Sequence, residues 1–254
     1  MSNDSTQIIV DPIGTIRTPF SQKFGIPRQS VGLSNIPGQI ILHPPYDDIN
    51  GFRGIEAFSH LWILFQFNQS VAQTEQYSPL IRPPRLGGND KMGVFASRSS
   101  FRPNNIGMSL VQFDRIERKN GLTRLHVLGV DCLDNTPIID IKPYIRYADS
   151  QDDARCGYAQ SSPSSTLNVL FSSDIMQLLS TLSVTSNWPS EHTITDVQTL
   201  ISTIIGLDPR PAYHQAPEYQ SANPNKPYHV KIYNLDITFW VDGDQNAHIT
   251  AINP

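Results

Sequence analysis

The chain has 254 residues, of which 39% are hydrophobic and 17% are charged, as in a globular protein with one large or two modest domains. The longest apolar run, Leu61–Phe67, is far below the roughly 20 residues of a membrane span, and the N-terminal Met-Ser-Asn-Asp-Ser lacks signal-peptide features. Two cysteines, Cys132 and Cys156, support neither a disulfide framework nor a cysteine zinc cluster. We therefore expect a protein of the reducing cytoplasm.

The net charge of −4 argues against nucleic acid as a partner unless positive charge is concentrated locally. Such a concentration lies between residues 82 and 104, where one acid, Asp90, accompanies five basic residues: Arg82, Arg85, Lys91, Arg98 and Arg102. A solvated basic face would give the same pattern. The segment is nevertheless the candidate contact for an anionic partner.

The first 148 residues consist of short apolar runs separated by turn residues, and the chain contains 20 prolines. This pattern predicts a mainly β domain, either a sandwich or a barrel. Lys119-Asn120-Gly121 predicts a hairpin turn between two of the strands. The predicted strands cover residues 8–17, 39–42, 60–67, 93–96, 109–116, 123–131 and 138–141.

A second domain is predicted after a polar segment at residues 149–165, which divides the chain into domains 1–150 and 151–254. Apolar residues recur at helical spacing in 175–182 and 194–205, and the second helix is expected to end at Gly206. Strands are predicted at 228–241 and 248–252, joined by a turn at Asp242-Gly243-Asp244. The second domain is therefore expected to be α+β.

Several common catalytic motifs are missing from the sequence. It has no glycine-lysine P-loop, no Gly-x-Gly-x-x-Gly dinucleotide motif and no serine nucleophile elbow. Its seven histidines are dispersed without the spacing of a zinc site, so no metal is expected.

Two polar clusters remain as candidate sites. In the segment Met92–Ser109, a short predicted strand ends at a turn that carries Arg98, Arg102 and Asn104, and guanidinium groups held on a turn suit phosphate, carboxylate or a stacked base. The segment 131–144 places three carboxylates and one lysine around a second turn: Asp131, Asp134, Asp140 and Lys142. A plain hairpin turn at Asp134 and an Asp140–Lys142 ion pair are the structural alternative.

Six segments, in this order, resemble the TrmO family, the TsaA-like tRNA methyltransferases. They span both predicted domains: Phe24-Gly25-Ile26-Pro27-Arg28-Gln29, Arg53–Trp62, Arg82–Gly88, Met92–Ser109, Asp134–Tyr144 and Asp208-Pro209-Arg210-Pro211-Ala212-Tyr213. Two positions depart from the family pattern, Asn135 for the usual glycine and Asn105 for a common proline. We expect Asn135 to preserve its turn, because Asn tolerates left-handed geometry, and Asn105 to loosen its loop.

The resemblance implies a small N-terminal β-barrel that binds S-adenosylmethionine, a C-terminal domain and a homodimer. It implies methylation of N6 of N6-threonylcarbamoyladenosine at position 37, beside the tRNA anticodon. The implied cofactor contacts are Ser30, Val31, Gly32, Asn68, Gln69, Arg98, Met108, Leu128, Gly129, Val130 and Asp131.

Methyl transfer of this kind requires alignment and no protein nucleophile. A base would assist it by removing the N6 proton, and Asp131, Asp134 and Asp140 are the open candidates. The expected tRNA contacts are Arg82, Arg85, Lys91, Arg102, Asn104, Lys142, Arg210 and Tyr213. The competing hypotheses are a non-catalytic adapter that binds S-adenosylmethionine or RNA, and a methyltransferase with a different small substrate.

Overall fold

A computed structural model of the chain describes residues 8–27, 36–68, 78–83, 90–160, 167–181 and 194–253. Six of its strands form a closed antiparallel barrel: β1 (Gly14–Arg17), β2 (Pro37–Leu42), β3 (His60–Gln66), β6 (Ile106–Lys119), β7 (Leu122–Leu128) and β8 (Thr136–Pro143). A separate strand pair consists of β4 (Leu80–Ile81) and β5 (Met92–Gly93). The prediction of a mainly β N-terminal domain is confirmed, and the barrel is the architecture found.

The barrel strands follow the order β1-β2-β7-β6-β3-β8 around the closed sheet. Alternate residues point inward, and the interior is filled by aliphatic side chains that are completely buried, such as Ile16, Ile40, Ile63, Val111 and Leu125. Because these side chains fill the interior, a ligand of the barrel has to bind at one of its ends or on its outer wall.

The hairpin predicted at Lys119-Asn120-Gly121 is confirmed. Lys119 pairs with Leu122, and Asn120 and Gly121 have φ angles of 54° and 80°. Two consecutive residues with positive φ are the requirement of a tight two-residue hairpin turn, and Asn followed by Gly meets it at low cost.

Two strand predictions in the N-terminal half are wrong in part. The strand predicted from Ile8 begins only at Gly14, where pairing with β2 and β8 starts, and Ile8 is 83% exposed. The strand predicted at 93–96 ends at Gly93 and continues as a 3-10 turn, Val94–Ala96. In both cases the apolar residues lie beyond the reach of a partner strand.

The C-terminal part combines a second sheet with helices. Its strands are β9 (Asn168–Phe171), β10 (Tyr228–Ile232), β11 (Leu235–Val241) and β12 (Asn246–Asn253), in the order β10-β11-β12-β9, with β9 parallel to β12. The helices are α1 (Arg146–Asp149), α2 (Ser173–Thr181), α3 (Ile194–Gly206) and α4 (Pro217–Ala222). Helix α2 packs against β12 and α3 against β9. No helix among the described residues is long and apolar enough to cross a membrane.

The sequence prediction for this part is confirmed for the two long helices over their described residues and for the turn after β11. The predicted strand 228–241 is two strands, because the chain reverses at Tyr233-Asn234, where Tyr233 has a φ of 56°. That turn contains neither glycine nor proline, and Asn234 alone is a weak turn signal within an apolar run. The four-residue strand β9 was not predicted at all.

The barrel and the second sheet are in direct contact through the segment that follows β1. The Tyr233 amide donates to the Pro19 carbonyl at 2.8 Å. Gly25, which has a φ of 95°, lies so close to Val230 that a β-carbon on it would be 2.3 Å from Val230 Cγ2. Buried apolar residues of both parts form one continuous core. The second sheet is thereby fixed beside the end of the barrel at which β1 finishes.

Candidate functional site

Strand ends that are distant in the sequence meet at one end of the barrel. Strands β1, β3 and β7 finish there and β2, β6 and β8 begin there, as the pairs Ile16↔Thr136, Pro37↔Leu128 and Gln66↔Ile106 indicate. We call this end the rim and define it by residues 17–18, 36–37, 66–68, 106–109 and 128–136. Most of the described cofactor residues implied by the family resemblance lie on it.

Asp131 and Ser109 form the central contact of the rim. The Ser109 hydroxyl donates to Asp131 Oδ1 at 2.5 Å, and Ser109 is only 4% exposed. Burial raises the pKa of Asp131 to about 6, although the Ser109 hydrogen bond and the positive charge of Arg98 each lower that pKa. Asp131 is therefore a carboxylate able to accept a proton near neutral pH.

The arginine-bearing loop before β6 is closed by its own hydrogen bonds. Arg102 Nη1 donates to the Ser97 carbonyl at 3.0 Å, and the Asn105 amide donates to the Arg102 carbonyl at 3.0 Å. Asn105 has a φ of 51°, which a proline ring forbids, so Asn105 permits a conformation that the family's common proline would not adopt. Arg102 thus stabilises the loop from which Arg98 and Asn104 project; both of these side chains are exposed.

Asp134 fastens the end of β1 to the start of β8. Its Oδ1 accepts from Arg17 Nε and from the Thr18 amide, both at 2.9 Å, and its Oδ2 accepts from Asn135 Nδ2 at 2.9 Å. Asn135 has a φ of 61°, which confirms the expectation that this residue preserves the turn. The Asp134 carboxylate is consequently engaged in holding the rim together.

Asp140 and Lys142 lie on the outer wall of the barrel, away from the rim. They pair with Leu64 and Trp62 of β3, and Lys142 Nζ lies 2.8 Å from Asp140 Oδ2. This is the ion pair of the structural alternative. Among the three candidate bases, Asp131 is the one whose geometry suits proton transfer at the rim.

The other implied cofactor residues line the rim in different ways. Met108 is 50% exposed, and Asn68 Nδ2 donates to the Asn135 carbonyl at 3.5 Å. The amides of Gly129 and Val130 donate to the Ile36 carbonyl, and the Val130 side chain is fully buried, so no contact from that side chain is available. Four of the implied cofactor residues lie outside the part of the chain that the structure describes: Ser30, Val31, Gly32 and Gln69.

Two basic residues, Arg82 and Lys91, lie side by side. Ile81 pairs with Met92, so the preceding Lys91 and the following Arg82 are neighbours across the β4–β5 pair, and both are exposed. Strand β5 leads into the loop that carries Arg98. Arg85 lies outside the described residues.

Arg210 differs from its predicted role. It is 1% exposed, and its Nε and Nη2 donate to Asp208 Oδ1 and Oδ2 at 2.7 and 2.8 Å. This bidentate pairing turns Nε and Nη2 of Arg210 toward Asp208 inside the protein, so the structure offers no exposed guanidinium for the substrate contact that was predicted. Tyr213, in the same motif, is 62% exposed.

The sequence reasoning missed Ser109 and Arg17, the residues that hold two of the three carboxylates. Ser109 could have been recognised from the sequence, because it is a small polar residue at an inward-facing position in the otherwise apolar first half of β6. Over the part of the chain that the structure describes, no three His, Cys, Asp or Glu side chains group as metal ligands would.

Family models match most of the chain. The model of the tRNA-methyltransferase O N-terminal domain matches residues 15–150, and that of the TrmO C-terminal domain matches residues 164–254. These two matches, one on each part of the fold, identify the chain as a tRNA methyltransferase.

The chain belongs to the TrmO family. It is 38% identical over 244 residues to the tRNA (adenine(37)-N6)-methyltransferase of Escherichia coli K12, covering 96% of this chain and 97% of the relative. It is 40% identical over 228 residues to RcsF of Pseudomonas aeruginosa, assigned by name to the S-adenosylmethionine-dependent methyltransferases, with 90% of each chain covered. The crystal structure of a P. aeruginosa TrmO superposes with a TM-score of 0.74 and 31% identity, over 99% of this chain and 100% of that one.

Proposed function

We propose that this chain transfers a methyl group from S-adenosylmethionine to N6 of adenosine 37 of tRNA, on an adenosine whose N6 already carries threonylcarbamoyl. The name of the E. coli relative supports adenosine 37 and N6 as the target. The family resemblance supplies the threonylcarbamoyl group, and tRNA as substrate agrees with a cytoplasmic enzyme. The observation that carries the proposal is Asp131, held by Ser109 on the rim beside Arg98.

The rim residues fit S-adenosylmethionine. Arg98 offers a guanidinium to the carboxylate of the amino acid part, and Met108 offers an exposed apolar surface to the adenine. The backbone of Leu128 and Gly129 and the side chain of Asn68 supply polar groups around them. When bound, the cofactor supplies an electrophilic methyl group on a sulfonium.

Asp131 is the proposed base. The N6 nitrogen is conjugated with both the purine and the carbamoyl group, so its lone pair is weakly nucleophilic until its proton is removed. Asp131 would accept the N6 proton as N6 takes the methyl group, which bound S-adenosylmethionine would supply from its sulfonium with the sulfur keeping the electron pair. The Ser109 hydrogen bond favours the ionised form of this carboxylate, and alignment of the reactants provides the remaining catalysis.

Basic and aromatic residues around the rim are proposed to hold the anticodon arm. The adjacent Arg82 and Lys91 face phosphates, with Arg85 in the same segment. Arg102 and Asn104 shape the loop that carries Arg98 or contact the RNA from it. Tyr213 is exposed and available to stack on a base.

The outer face of β3 and β6 is proposed to pair with a second copy of the chain. An apolar surface lies there: Trp62 is directly opposite Leu110, and Leu64 lies two residues further along β3. The adjacent Asp140–Lys142 pair puts both signs of charge beside it, which suits a twofold interface in which each patch faces its own copy. Leu110→Glu should convert a dimer into a monomer in sedimentation at micromolar concentration, whereas a wild-type monomer would contradict the assignment.

The decisive test is transfer of labelled methyl from S-adenosylmethionine to tRNA with and without threonylcarbamoyl on adenosine 37. We expect label only in the modified tRNA. Label in unmodified tRNA alone would contradict the proposed substrate, and absence of label from both would favour the adapter. The same assay with free nucleosides examines the small-substrate hypothesis.

A further inference from the structure

An aromatic cluster extends from the buried face of the second sheet to the surface of the C-terminal part. His214 and Tyr219 are stacked with ring centroids 4.2 Å apart and an interplanar angle of 16°. Tyr213 packs edge-on against both rings, at 4.2 Å from His214 and 5.7 Å from Tyr219. His214 is anchored from below, because its Nδ1 lies 3.2 Å from the hydroxyl of buried Tyr228. The exposed ring of Tyr213 is thus held in a fixed orientation.

Lys226 supplies a positive charge at the edge of this cluster. Its ammonium lies 5.0 Å from the centroid of the Tyr219 ring and hydrogen-bonds the Tyr219 hydroxyl, an interaction that raises the pKa of Lys226 and keeps it charged. An ammonium has three donors, so the other two can bind an acceptor from a ligand. The charge of nearby Arg210 is balanced by Asp208, and that of Lys226 remains available to an anion.

The cluster lies within reach of the proposed methylation site. Strand β10 begins at Tyr228, beneath His214, and the chain arrives at Tyr233 next to Pro19, beside the rim. The five residues of β10 are extended and separate the cluster from the rim by about 17 Å. A macromolecular ligand bound at the rim is large enough to contact the cluster as well.

A rigid exposed ring next to a fixed positive charge is the chemistry that binds a nucleobase and its phosphate. We infer that Tyr213, Tyr219 and Lys226 form a second RNA contact surface, which stacks on a base and binds a backbone phosphate of the tRNA away from adenosine 37. This inference rests on the proposed function, because it takes tRNA as the ligand. It assigns Tyr219 and Lys226 a function that the sequence analysis did not give them, and it makes Arg210 the support of the loop that presents Tyr213.

The charge is tested by measuring the affinity for tRNA that carries threonylcarbamoyladenosine 37 over a range of salt concentrations. Lys226→Gln keeps a donor for the Tyr219 hydroxyl but removes the charge, and it should reduce the slope of log K against log salt by roughly 0.7 to 1. Lys226→Arg should keep the wild-type slope. Lys231→Gln is the matched control, because it removes the same charge from the exposed face of β10, opposite the face on which Tyr228 contacts His214, and it should leave the slope unchanged.

Stacking is tested by Tyr213→Ala, which should weaken tRNA binding roughly 5- to 100-fold, whereas Tyr213→Phe keeps the ring and should bind as the wild type does. The affinity of every variant for S-adenosylmethionine should be unchanged, which also shows that the variants are folded. Wild-type affinity and slope in both Lys226→Gln and Tyr213→Ala would overturn this inference alone. Failure of the wild type to bind tRNA would overturn the proposed function together with it.

Discussion

Removal of the Ser109 hydroxyl should shift the pH dependence of methyl transfer. Its hydrogen bond of 2.5 Å favours the ionised form of Asp131, so Ser109→Ala should raise the pKa of that carboxyl above its present value of about 6. A hydrogen bond to a charged group contributes about 1.5–3 kcal/mol, which corresponds to a shift of about one to two pKa units. A base acts when deprotonated, so the acidic limb of the rate should move from near pH 6 toward pH 7–8.

The assay is single-turnover methyl transfer to threonylcarbamoylated tRNA between about pH 5 and 9, with S-adenosylmethionine saturating. At high pH, Ser109→Ala should approach the wild-type rate, because the base is then ionised in both proteins. Ser109→Thr keeps the hydroxyl and serves as the control. An acidic limb at the wild-type position in Ser109→Ala would refute the role given to this contact, and so would a uniform loss of rate at all pH values.

Three further predictions concern stability. The pKa of Asp131 is raised to about 6, so the folded state binds this proton more tightly than the unfolded state does. The group therefore destabilises the protein increasingly as the pH rises from about 4 to 6. In thermal melts, Asp131→Asn should be more stable than the wild type at about pH 8 and equal to it near pH 4. Gly25→Ala should lower the melting temperature and reduce the free energy of unfolding by about 1–3 kcal/mol. Gly25 has a φ of 95°, and the new methyl group would lie 2.3 Å from Val230 Cγ2 on β10. The control is Gly243→Ala, whose methyl group meets nothing within 4 Å and which should be nearly neutral. Asp208→Asn leaves the guanidinium of Arg210 buried with a neutral partner and should reduce the free energy of unfolding by up to about 3–5 kcal/mol in urea titrations.

The sequence predicts the fold where periodicity and turn chemistry agree. The Asn120-Gly121 turn, the two long helices and barrel strands such as β3 combine a clear apolar pattern with clear boundaries. Tyr233-Asn234 is the opposite case: two apolar strands meet at a turn with no glycine, and a tertiary hydrogen bond from the Tyr233 amide to the Pro19 carbonyl holds it. The exposed Ile8 shows that an apolar run forms a strand only where a partner strand is available.

The site was less predictable because it depends on the pairing register. Extended from the turn, the pair Lys119↔Leu122 would place Leu128, the last residue of β7, opposite Phe113. A bulge between Phe113 and Arg115 shifts the pairing by one residue, so that Leu128 lies opposite Gln112 instead. This shift changes which part of β6 lies beside the chain that leads from β7 to Asp131, whose partner is Ser109. Bulges leave little trace in a single sequence, so this contact required the structure.

The ion pairs show the same limit. Spacing suggested the Asp140–Lys142 pair as an alternative, and the structure contains it. By contrast, the link from Arg17 to Asp134 joins residues 117 positions apart and cannot be inferred from local pattern.

Methyl transfer by wild type and Asp131→Asn under single-turnover conditions, followed by mass analysis of the nucleoside at position 37, tests the central claim most directly. The wild type should add one methyl group to threonylcarbamoyladenosine. With S-adenosylmethionine saturating, Asp131→Asn should do so about 10²- to 10⁴-fold more slowly. An unmethylated product from the wild type, or equal rates in the two proteins, would contradict the account.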